Sequence, residues 1–523
     1  MKTEKFNLKK ITLVSFLSVL FLISFFYRIY GLSTNNPPFW VDEFASANQA
    51  KLFLEQGLSA FFNPNMVLEH YNITTHFLIA TSYKIFGVNE FAARFPLVIV
   101  GSMVPLVVFF LTRHLTNLPT AISAGLLTTF SYFEITWSRQ ARGYIILQFL
   151  VLLSFFLYLK LISLNKITPP MLFSFLVIIF LGIITHPLYY LFLVSIFIHF
   201  LFTSYKSLLY LLSKSWFYFL LLVLIFTVFK IGFIAALLRM LSLKMFLTNN
   251  FWYYHSFLWR DYGLLTFLSI IGFLILFFQK NKTTLSLFIY IAVHLVFVTF
   301  IFKPYVSRYL LPIFPFFLMG TSYALWYVFQ YLPHRYDRTK VAIPIILTLF
   351  IIFNGHKFVN KPKKYYSLNH DFREIANVDY HQFYFLIRKE VEKGNNQIVV
   401  IETWWDRARW YLGEDFKNII AFRWLDEGGY VNGLPKMILY SVRSDGEKIL
   451  KGGSLRLVLE KKDLQLYLKK YPKGFLFIDD SSLPQDVQEY AQKNLKRQLY
   501  LDHYPLDDNP YSIWPATLYS WGI

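Results

Sequence analysis

The chain contains a long series of apolar, uncharged runs, and this feature limits its fold more than any other. Most runs approach the roughly 20 residues that a helix needs to cross a bilayer core of about 30 Å. We count about eleven, with these bounds: Ile11–Tyr27, Phe95–Thr112, Leu115–Phe133, Gly143–Leu159, Met171–Thr185, Pro187–Thr203, Trp216–Phe229, Gly263–Phe278, Thr284–Phe302, Tyr309–Leu332 and Val341–Phe353. A shorter run, Thr74–Phe86, is predicted to lie in the interface or to re-enter the membrane. The series predicts a polytopic α-helical membrane protein.

Composition and charge support this prediction. Only 16% of the 523 residues are charged, against roughly 25% in an ordinary soluble domain. Since the chain has no cysteine, disulfides, thiolate metal sites and a cysteine nucleophile are excluded. A net charge of +20 would suit nucleic acid, but the inner loops are short and topology accounts for their basic residues. We therefore expect no nucleic-acid partner.

The basic loops predict the orientation of the chain. Alternate short loops carry the following basic residues: Arg113, Lys160, Lys166, Lys206, Lys214, Lys280, Lys282, Arg335, Arg338 and Lys340. By the positive-inside rule these loops are cytoplasmic, and so is the N-terminus, whose first run we interpret as a retained signal-anchor. An odd number of spans then places the C-terminus outside. The sequence predicts a multi-pass protein of the inner or plasma membrane, surrounded by membrane lipids.

The tail beyond the last run has a different character and predicts a second domain. Four runs are typical of strands and two of helices: Gln397–Glu402, Ile419–Trp424, Leu455–Glu460 and Phe475–Asp479, then Asp406–Leu412 and Gln485–Leu495. We expect a transmembrane catalytic domain over residues 1–355, with residues 31–94 as its first outer loop. Residues 356–523 are expected to form a soluble, extracytoplasmic α/β domain.

Several basic residues lie on the predicted outer side, against the orientation bias. They are Arg94, the pair Arg139 and Arg142 in one tight turn, and the pair Lys303 and Arg308 in another. One interpretation is that each side chain extends to the lipid headgroups. The other is a shared anion site, since arginine and lysine clusters suit phosphate. At this depth the phosphate would belong to a lipid.

The first outer loop carries the acidic counterpart, the adjacent pair Asp42 and Glu43 after Pro37-Pro38-Phe39-Trp40-Val41. Asp42 could cap a helix over Phe44–Gln56. It could equally act as a general base that removes a proton from an attacking hydroxyl group. Both interpretations stay open on the sequence alone.

Taken in order, these motifs resemble the GT-C superfamily of membrane glycosyltransferases, of the protein O-mannosyltransferase and aminoarabinose-transferase type. The similar positions, which span roughly residues 1–355, are Asp42-Glu43, the stretch His70–Gly101 with Ala93-Arg94-Phe95-Pro96, Arg139 to Tyr144, Thr185-His186-Pro187, and Arg308-Tyr309-Leu310-Leu311-Pro312. Many members of the superfamily carry a second acidic residue, and this chain departs from them at that position. It falls where this chain has Arg139-Gln140-Ala141-Arg142, and the nearest acid is Glu134.

The resemblance implies an inverting glycosyltransferase of the hexosyl or pentosyl type. Its donor would be a sugar on a polyprenyl phosphate, and its acceptor a hydroxyl group on a lipid, glycan or protein outside the membrane. Asp42 would be the general base. Donor or acceptor binding would fall to Glu43, His70, Arg94, Tyr144, His186 and Tyr309. Arg139, Arg142, Lys303 and Arg308 would hold the lipid phosphate.

Two questions stay open at this stage. A transporter or flippase of a lipid-linked anion could use the same outer basic residues, but it would be expected to show charges at mid-membrane and related halves. The histidines show no paired spacing, so no metal site is predicted, although a requirement for a divalent cation is left open.

Overall fold

A computed structural model describes most of the chain. The described residues are 2–32, 39–57, 59, 72–163, 168–212, 218, 222, 246–279, 281–333, 337–364, 366, 378–393, 398–413, 415–423, 430–431, 434–435, 440–450, 454–479, 483–502 and 515–523. The chain divides into two compact units. The first contains Met1–Leu32 and Phe53–Lys363, and the second contains Ser33–Leu52 and Lys364–Ile523. The second unit thus includes part of the predicted first outer loop.

Helices dominate the described residues of the first 360. In chain order they are α1 (Lys2–Ile29), α2 (Val41–Gln56), α3 (Ile73–Phe86), α4 (Glu90–Leu115), α5 (Leu118–Phe130), α6 (Tyr132–Ser138), α7 (Tyr144–Ser163), α8 (Pro169–Ile183), α9 (Tyr189–Leu212), α10 (Phe251–Phe278), α11 (Lys282–Val296), α12 (Phe314–Phe329) and α13 (Asp337–Asn354). A π-helical turn (Phe297–Ile301) and a 3₁₀ helix (Ser307–Ile313) separate α11 from α12. The boundary between the units passes through α2.

The helices confirm the membrane character of the chain. Among the described residues, five stretches are long and apolar enough to cross a bilayer: Glu90–Leu115, Tyr144–Ser163, Phe251–Phe278, Thr283–Ile301 and Ser307–Phe329. Five shorter apolar helices accompany them. The predicted number of eleven spans is not confirmed. The run Trp216–Phe229 lies outside the described residues, apart from Tyr218 and Leu222.

The predicted run Leu115–Phe133 is not one helix, and a tertiary contact explains the break. Ser131 adopts an extended conformation between α5 and α6. On its two sides, Tyr132 N donates to the Lys357 carbonyl (3.0 Å) and Val359 N donates to the Phe130 carbonyl (2.8 Å). The chain after α13 therefore supplies the backbone partners that the interrupted helix lacks.

The C-terminal part of the second unit is an α/β domain, as predicted. Its elements are α14 (Tyr380–Val391), β1 (Val399–Glu402), α15 (Trp405–Leu412), β2 (Ile419–Phe422), β3 (Tyr430–Val431), β4 (Leu434–Pro435), β5 (Tyr440–Val442), β6 (Lys448–Leu450), β7 (Arg456–Val458), α16 (Lys461–Lys470), β8 (Gly474–Ile478), α17 (Gln485–Asn494), β9 (Lys496–Leu501) and β10 (Ala516–Trp521). In the described part, eight strands form one sheet in the order β5-β6-β7-β2-β1-β8-β10-β9. Strands β7, β2, β1 and β8 are parallel neighbours, and the outer pairs are antiparallel.

A buried charge network joins α15 to this sheet. Arg407 has no solvent exposure. It pairs with Glu402 at the end of β1 (Nε to Oε2, 3.0 Å) and with Asp479 just after β8 (Nη1 to Oδ2, 2.6 Å). Burial raises the pKa of Glu402 to about 7, although Arg407 opposes this shift. The Glu402 carboxylate also accepts from Ala408 N (2.7 Å) and so caps the first turn of α15.

Candidate functional site

Three turns of the first unit meet at a group of polar side chains, which we call the turn cluster: Arg142, Tyr144, His186 and Arg308. Arg142 lies between α6 and α7, and Tyr144 is the first residue of α7. His186 lies between α8 and α9, and Arg308 lies in the 3₁₀ helix. The residue before Tyr144 is a glycine because another segment of the same chain packs closely against it. A Cβ atom at Gly143 would stand 2.6 Å from Asn72 Oδ1 at the start of α3.

Tyr144 is the centre of the cluster. Its hydroxyl accepts from Arg308 Nε at 3.1 Å. Its ring centroid lies 4.9 Å from that of His186 and 6.4 Å from that of Tyr309. The guanidinium carbon of Arg308 is 5.8 Å from the ring of Trp137, so aromatic faces surround a buried cation. Arg308 therefore has a fixed position and direction.

His186 is neutral in this environment. Burial, together with the charges of Arg142 and Arg308, lowers its pKa to about 3. Its Nδ1 accepts a hydrogen bond from Leu188 N (3.2 Å), so the neutral ring carries its proton on Nε2. An uncharged imidazole beside two arginines keeps the net charge of this group positive. Such a group favours an anion.

Arg139, which we predicted to hold a lipid phosphate, lies at the end of α1. Its Nη1 donates to the carbonyl oxygens of Arg28 (2.8 Å) and Tyr30 (2.7 Å). A cation at these carbonyls complements the dipole at a helix C-terminus. The fully buried Arg28 in turn donates to Ser138 Oγ (3.0 Å) and Ser24 Oγ (2.7 Å). The α6–α7 turn is thereby attached to α1.

Glu134 is a buried acid in α6, the helix that precedes this turn. Gln148 Nε2 donates to Glu134 Oε1 (2.8 Å) and to the carbonyl of Leu311 (2.7 Å), which links α6, α7 and the 3₁₀ helix. Burial raises the pKa of Glu134 to about 8. Glu134 Oε2 has no hydrogen-bond partner within the described residues. The carboxyl group is therefore protonated and neutral near pH 7.

The remaining predicted residues of the first unit have separate positions. Arg94 is buried in α4. Lys303 is half-buried, and its carbonyl accepts from Asn250 Nδ2 (3.3 Å), which also bonds the carbonyl of Phe302 (2.9 Å). Asn250 thereby fixes the segment that leads to Arg308. His70 lies outside the described residues.

Asp42 and Glu43 belong to the second unit. The helix begins at Val41, so both carboxylates lie in the first turn of α2, and the interpretation of Asp42 as the cap of a helix that starts at Phe44 does not hold. Glu43 is buried, and its Oε2 accepts from Trp40 N at 2.9 Å. This bond closes the first turn and explains why the helix starts earlier than predicted. Asp42 is half-buried.

The C-terminal domain holds this end of α2 through α15. Asn48 Nδ2 donates to the carbonyl of Asp406 at 2.7 Å. The ring of Phe44 packs 5.8 Å from that of Tyr411, and the ammonium of Lys51 lies 4.3 Å from the ring centroid of Trp410. The segment around Asp42 is thus an integral part of the second unit.

Sequence reasoning missed several residues of these sites. Arg28, Trp137 and Gln148 support the turn cluster, and the signal for two of them was present. Arg28 is a cation at the end of an apolar run, and Gln148 is a lone amide in another. In the part of the chain that the structure describes, no group of three or more His, Asp or Glu side chains could hold a metal ion.

Comparison with known proteins gives a family match over part of the chain. Residues 72–233 match the family described as dolichyl-phosphate-mannose-protein mannosyltransferase. This segment includes α3 to α9 and two of the three turns of the cluster. None of the curated protein sequences matches the chain.

Solved structures share the fold at low sequence identity. ArnT from Cupriavidus metallidurans is 11% identical, both in its apo state (98% of each chain, TM-score 0.58) and bound to undecaprenyl phosphate (97% of each chain, TM-score 0.55). The oligosaccharyltransferase AglB from Archaeoglobus fulgidus, with an inhibitory peptide and a dolichol-phosphate, is 14% identical over 94% of this chain and 73% of its own, with a TM-score of 0.57. Another Archaeoglobus fulgidus oligosaccharyltransferase structure, with Zn and sulfate, is 13% identical over 78% of this chain (TM-score 0.50). The present chain spans 62% of the length of that protein.

Proposed function

We propose that this protein is a membrane glycosyltransferase of the GT-C superfamily and transfers a sugar from a polyprenyl-phosphate donor to a hydroxyl acceptor. The family match over residues 72–233 and the shared fold support this proposal. The observation that carries the proposal is the turn cluster. It presents the buried cation of Arg308 and the charge of Arg142 beside a neutral His186. Such a site suits a phosphate monoanion or diester at the membrane.

The donor side of the reaction needs a group that stabilises the departing lipid phosphate. As the bond between the anomeric carbon and the phosphate oxygen breaks, negative charge develops on that oxygen. Preorganised cations in a site that excludes water stabilise such charge strongly. Arg308 and Arg142 are assigned this role, with Lys303 and Arg139 as further candidates and Arg94, Tyr144, His186 and Tyr309 as donor or acceptor contacts.

The acceptor side needs a base. Asp42 would accept the proton of the acceptor hydroxyl while its oxygen attacks the anomeric carbon, and the bond to the polyprenyl phosphate would break in the same displacement. One displacement inverts the anomeric configuration. Glu43 and His70 remain assigned to substrate binding. We place the reaction on the outer face of the membrane, with residues 1–355 as the catalytic domain and residues 356–523 as an extracytoplasmic domain.

Two solved relatives support a lipid-linked donor, since ArnT has been determined with undecaprenyl phosphate and AglB with a dolichol-phosphate. The test is transfer by the full chain reconstituted in lipid vesicles. A panel of undecaprenyl-phosphate sugars, labelled in the sugar, would be supplied with a membrane extract as the source of acceptors. Label that leaves the polyprenyl lipid for an acceptor supports the proposal. Label that only crosses the bilayer while still on its lipid contradicts it and favours a flippase.

Two substitutions separate the assigned roles. Asp42→Asn should abolish transfer, while the exposed control Asp415→Asn should not change it. Arg308→Gln should lower kcat/KM by about a hundredfold, because one charged donor at developing negative charge contributes roughly that much. Full activity of a well-folded Asp42→Asn protein would contradict the assignment of Asp42 as the base, but it would not contradict the assignment of the donor site.

A further inference from the structure

The second unit contains a cavity that the proposed reaction does not use. It has a volume of about 320 Å³ and lies between α15 and the beginnings of the parallel strands β2 and β7. Helix α15 contributes Trp405 and Arg409, one turn apart on the same face. The other lining residues are Phe416, Lys417, Ile419, Ser454, Leu455 and Arg456. The cavity is a local feature of the α/β domain.

The charge of this cavity has one sign. Arg409, Lys417 and Arg456 come from three separate elements, and no acidic residue is among the lining residues in the described part of the chain. Asp406, on the same helix, has its Oδ1 3.9 Å from Arg409 Nη1. A concave site lined by three cations attracts anions and concentrates them.

Two of the lining side chains have fixed orientations. Arg456 donates to the hydroxyl of Tyr471 and lies 5.3 Å from the centroid of that ring. The indole of Trp405 packs against the guanidinium of Arg423, whose carbon lies 4.6 Å from its ring centroid. With Phe416, Trp405 gives the cavity an aromatic wall. Aromatic faces stack well on the apolar faces of sugar rings.

We propose that this cavity binds an anionic saccharide, a sugar unit that carries a phosphate or carboxylate group. The cations bind the anionic group, and Trp405 and Phe416 contact the sugar ring. If the proposed glycosyl transfer holds, the role of this cavity is to recruit a negatively charged glycan acceptor to the extracytoplasmic domain. Only this role rests on the proposed function. The binding itself can be measured without any transfer reaction.

The test is titration calorimetry on the full chain in detergent. The probes are glucose 6-phosphate, galacturonate, glucose and inorganic phosphate. We expect both charged sugars to bind, glucose to bind at least tenfold more weakly, and the affinity for the charged sugars to fall as salt is raised. Inorganic phosphate should bind more weakly than glucose 6-phosphate, because it lacks a ring to stack on Trp405. Equal binding of glucose and glucose 6-phosphate would overturn the proposal, and so would equal binding of inorganic phosphate and the sugar phosphate.

The variants Arg409→Gln and Lys417→Gln test the location, since both side chains are exposed and their loss leaves the core intact. Each should weaken binding of glucose 6-phosphate by about tenfold, as expected for one hydrogen bond to a charged group. The matched control is Lys493→Gln, an exposed lysine of α17 outside the cavity. An equal loss of affinity in the control would overturn the site. Failure of the transfer assay with intact binding would instead count against the proposed function alone.

Discussion

Arg28 shows how the first unit stabilises a buried charge. Arg28 has no solvent exposure, yet its guanidinium donates to Ser24, Ser138 and the carbonyl oxygen of Thr129. These three acceptors are neutral. A cation held in this way stays ionised because several strong acceptors replace its water shell.

Glu134 provides a test of protonation at the residue scale. Because burial raises its pKa to about 8, it is neutral at pH 7, and Glu134→Gln should change stability by less than about 1 kcal/mol. Glu134→Ala removes the acceptor of Gln148 Nε2 and leaves a cavity, so it should cost about 2–4 kcal/mol. Thermal unfolding of the purified variants distinguishes the two. If the glutamine variant is as unstable as the alanine variant, the carboxyl group is ionised in the folded protein.

His186 gives the stability a pH dependence of known sign. Its pKa is about 3 in the folded chain and about 6.5 when unfolded. Above pH 6.5 both states are neutral and the stability is fully present. Below it the unfolded state binds more protons, so stability is lost as the pH falls towards 3. By pH 5 the loss should reach at most about 2 kcal/mol, at about 1.4 kcal/mol for each pH unit.

The comparison of wild type with His186→Gln isolates this effect, since other carboxyl groups titrate in both proteins. Melting temperatures would be measured between pH 7 and pH 5. The wild type should lose more stability over that range than the variant. Parallel curves would mean that His186 does not resist protonation in the folded state.

At the scale of elements, helices α10 and α12 approach each other closely. A Cβ atom at Gly272 of α10 would stand 2.8 Å from the carbonyl carbon of Gly320 in α12. Thr321 Oγ1 also donates across the contact to the carbonyl of Leu265 (3.0 Å). Small residues allow such backbone contact between membrane helices. The pair supports the 3₁₀ helix that carries Arg308, because α12 follows it directly.

Gly272→Ala should therefore push the two helices apart and destabilise the protein by about 1–3 kcal/mol. The same helix offers a matched control, because a Cβ atom at Gly263 would meet nothing within 4 Å. Gly263→Ala should be neutral or stabilise by up to about 1 kcal/mol through helix propensity. Unfolding of both variants in the same detergent measures the difference. Equal effects would show that the close approach is not required.

At the scale of the whole molecule, each unit is built around its own core. The first unit packs apolar helices such as α4 against α1, α5 and α7. The second buries a sheet core that includes Val399, Ile420 and Leu476. Residues 33–52, which are separated from the tail by more than 300 residues of chain, belong to this second unit. Asp42 and the turn cluster are therefore carried by different units.

The predicted orientation can be tested on the whole molecule, because the chain has no native cysteine. Lys493→Cys in the C-terminal domain should react with a membrane-impermeant maleimide in intact cells. Arg113→Cys, in a loop predicted to be cytoplasmic, should react only after the membrane is opened. Both side chains are exposed, so accessibility to the reagent depends on the side of the membrane. The reverse labelling pattern would invert the predicted topology.

Several features of the fold follow from the sequence alone. The apolar runs predicted a helical membrane protein, and the change in pattern after residue 355 predicted a strand-containing domain whose β1, β2, β7 and β8 overlap the predicted strands. The resemblance to the GT-C superfamily is supported by the family match over residues 72–233 and by the fold shared with solved structures. These features depend on local hydrophobic periodicity and on short motifs, and both can be identified from the sequence without knowing the tertiary structure.

Only the tertiary structure decided which residues meet. Arg308 and Tyr144 are 164 residues apart and form a hydrogen bond, whereas Arg139, only five residues before Tyr144, bonds the end of α1. The break at Ser131 depends on Lys357 and Val359, and the packing of Phe44 depends on Tyr411. Such contacts arise from burial of surfaces that are distant in sequence, because each buried polar group must find its partner wherever the fold brings one. The sequence alone indicated which residue types could form the site, but it did not indicate which residues they would contact.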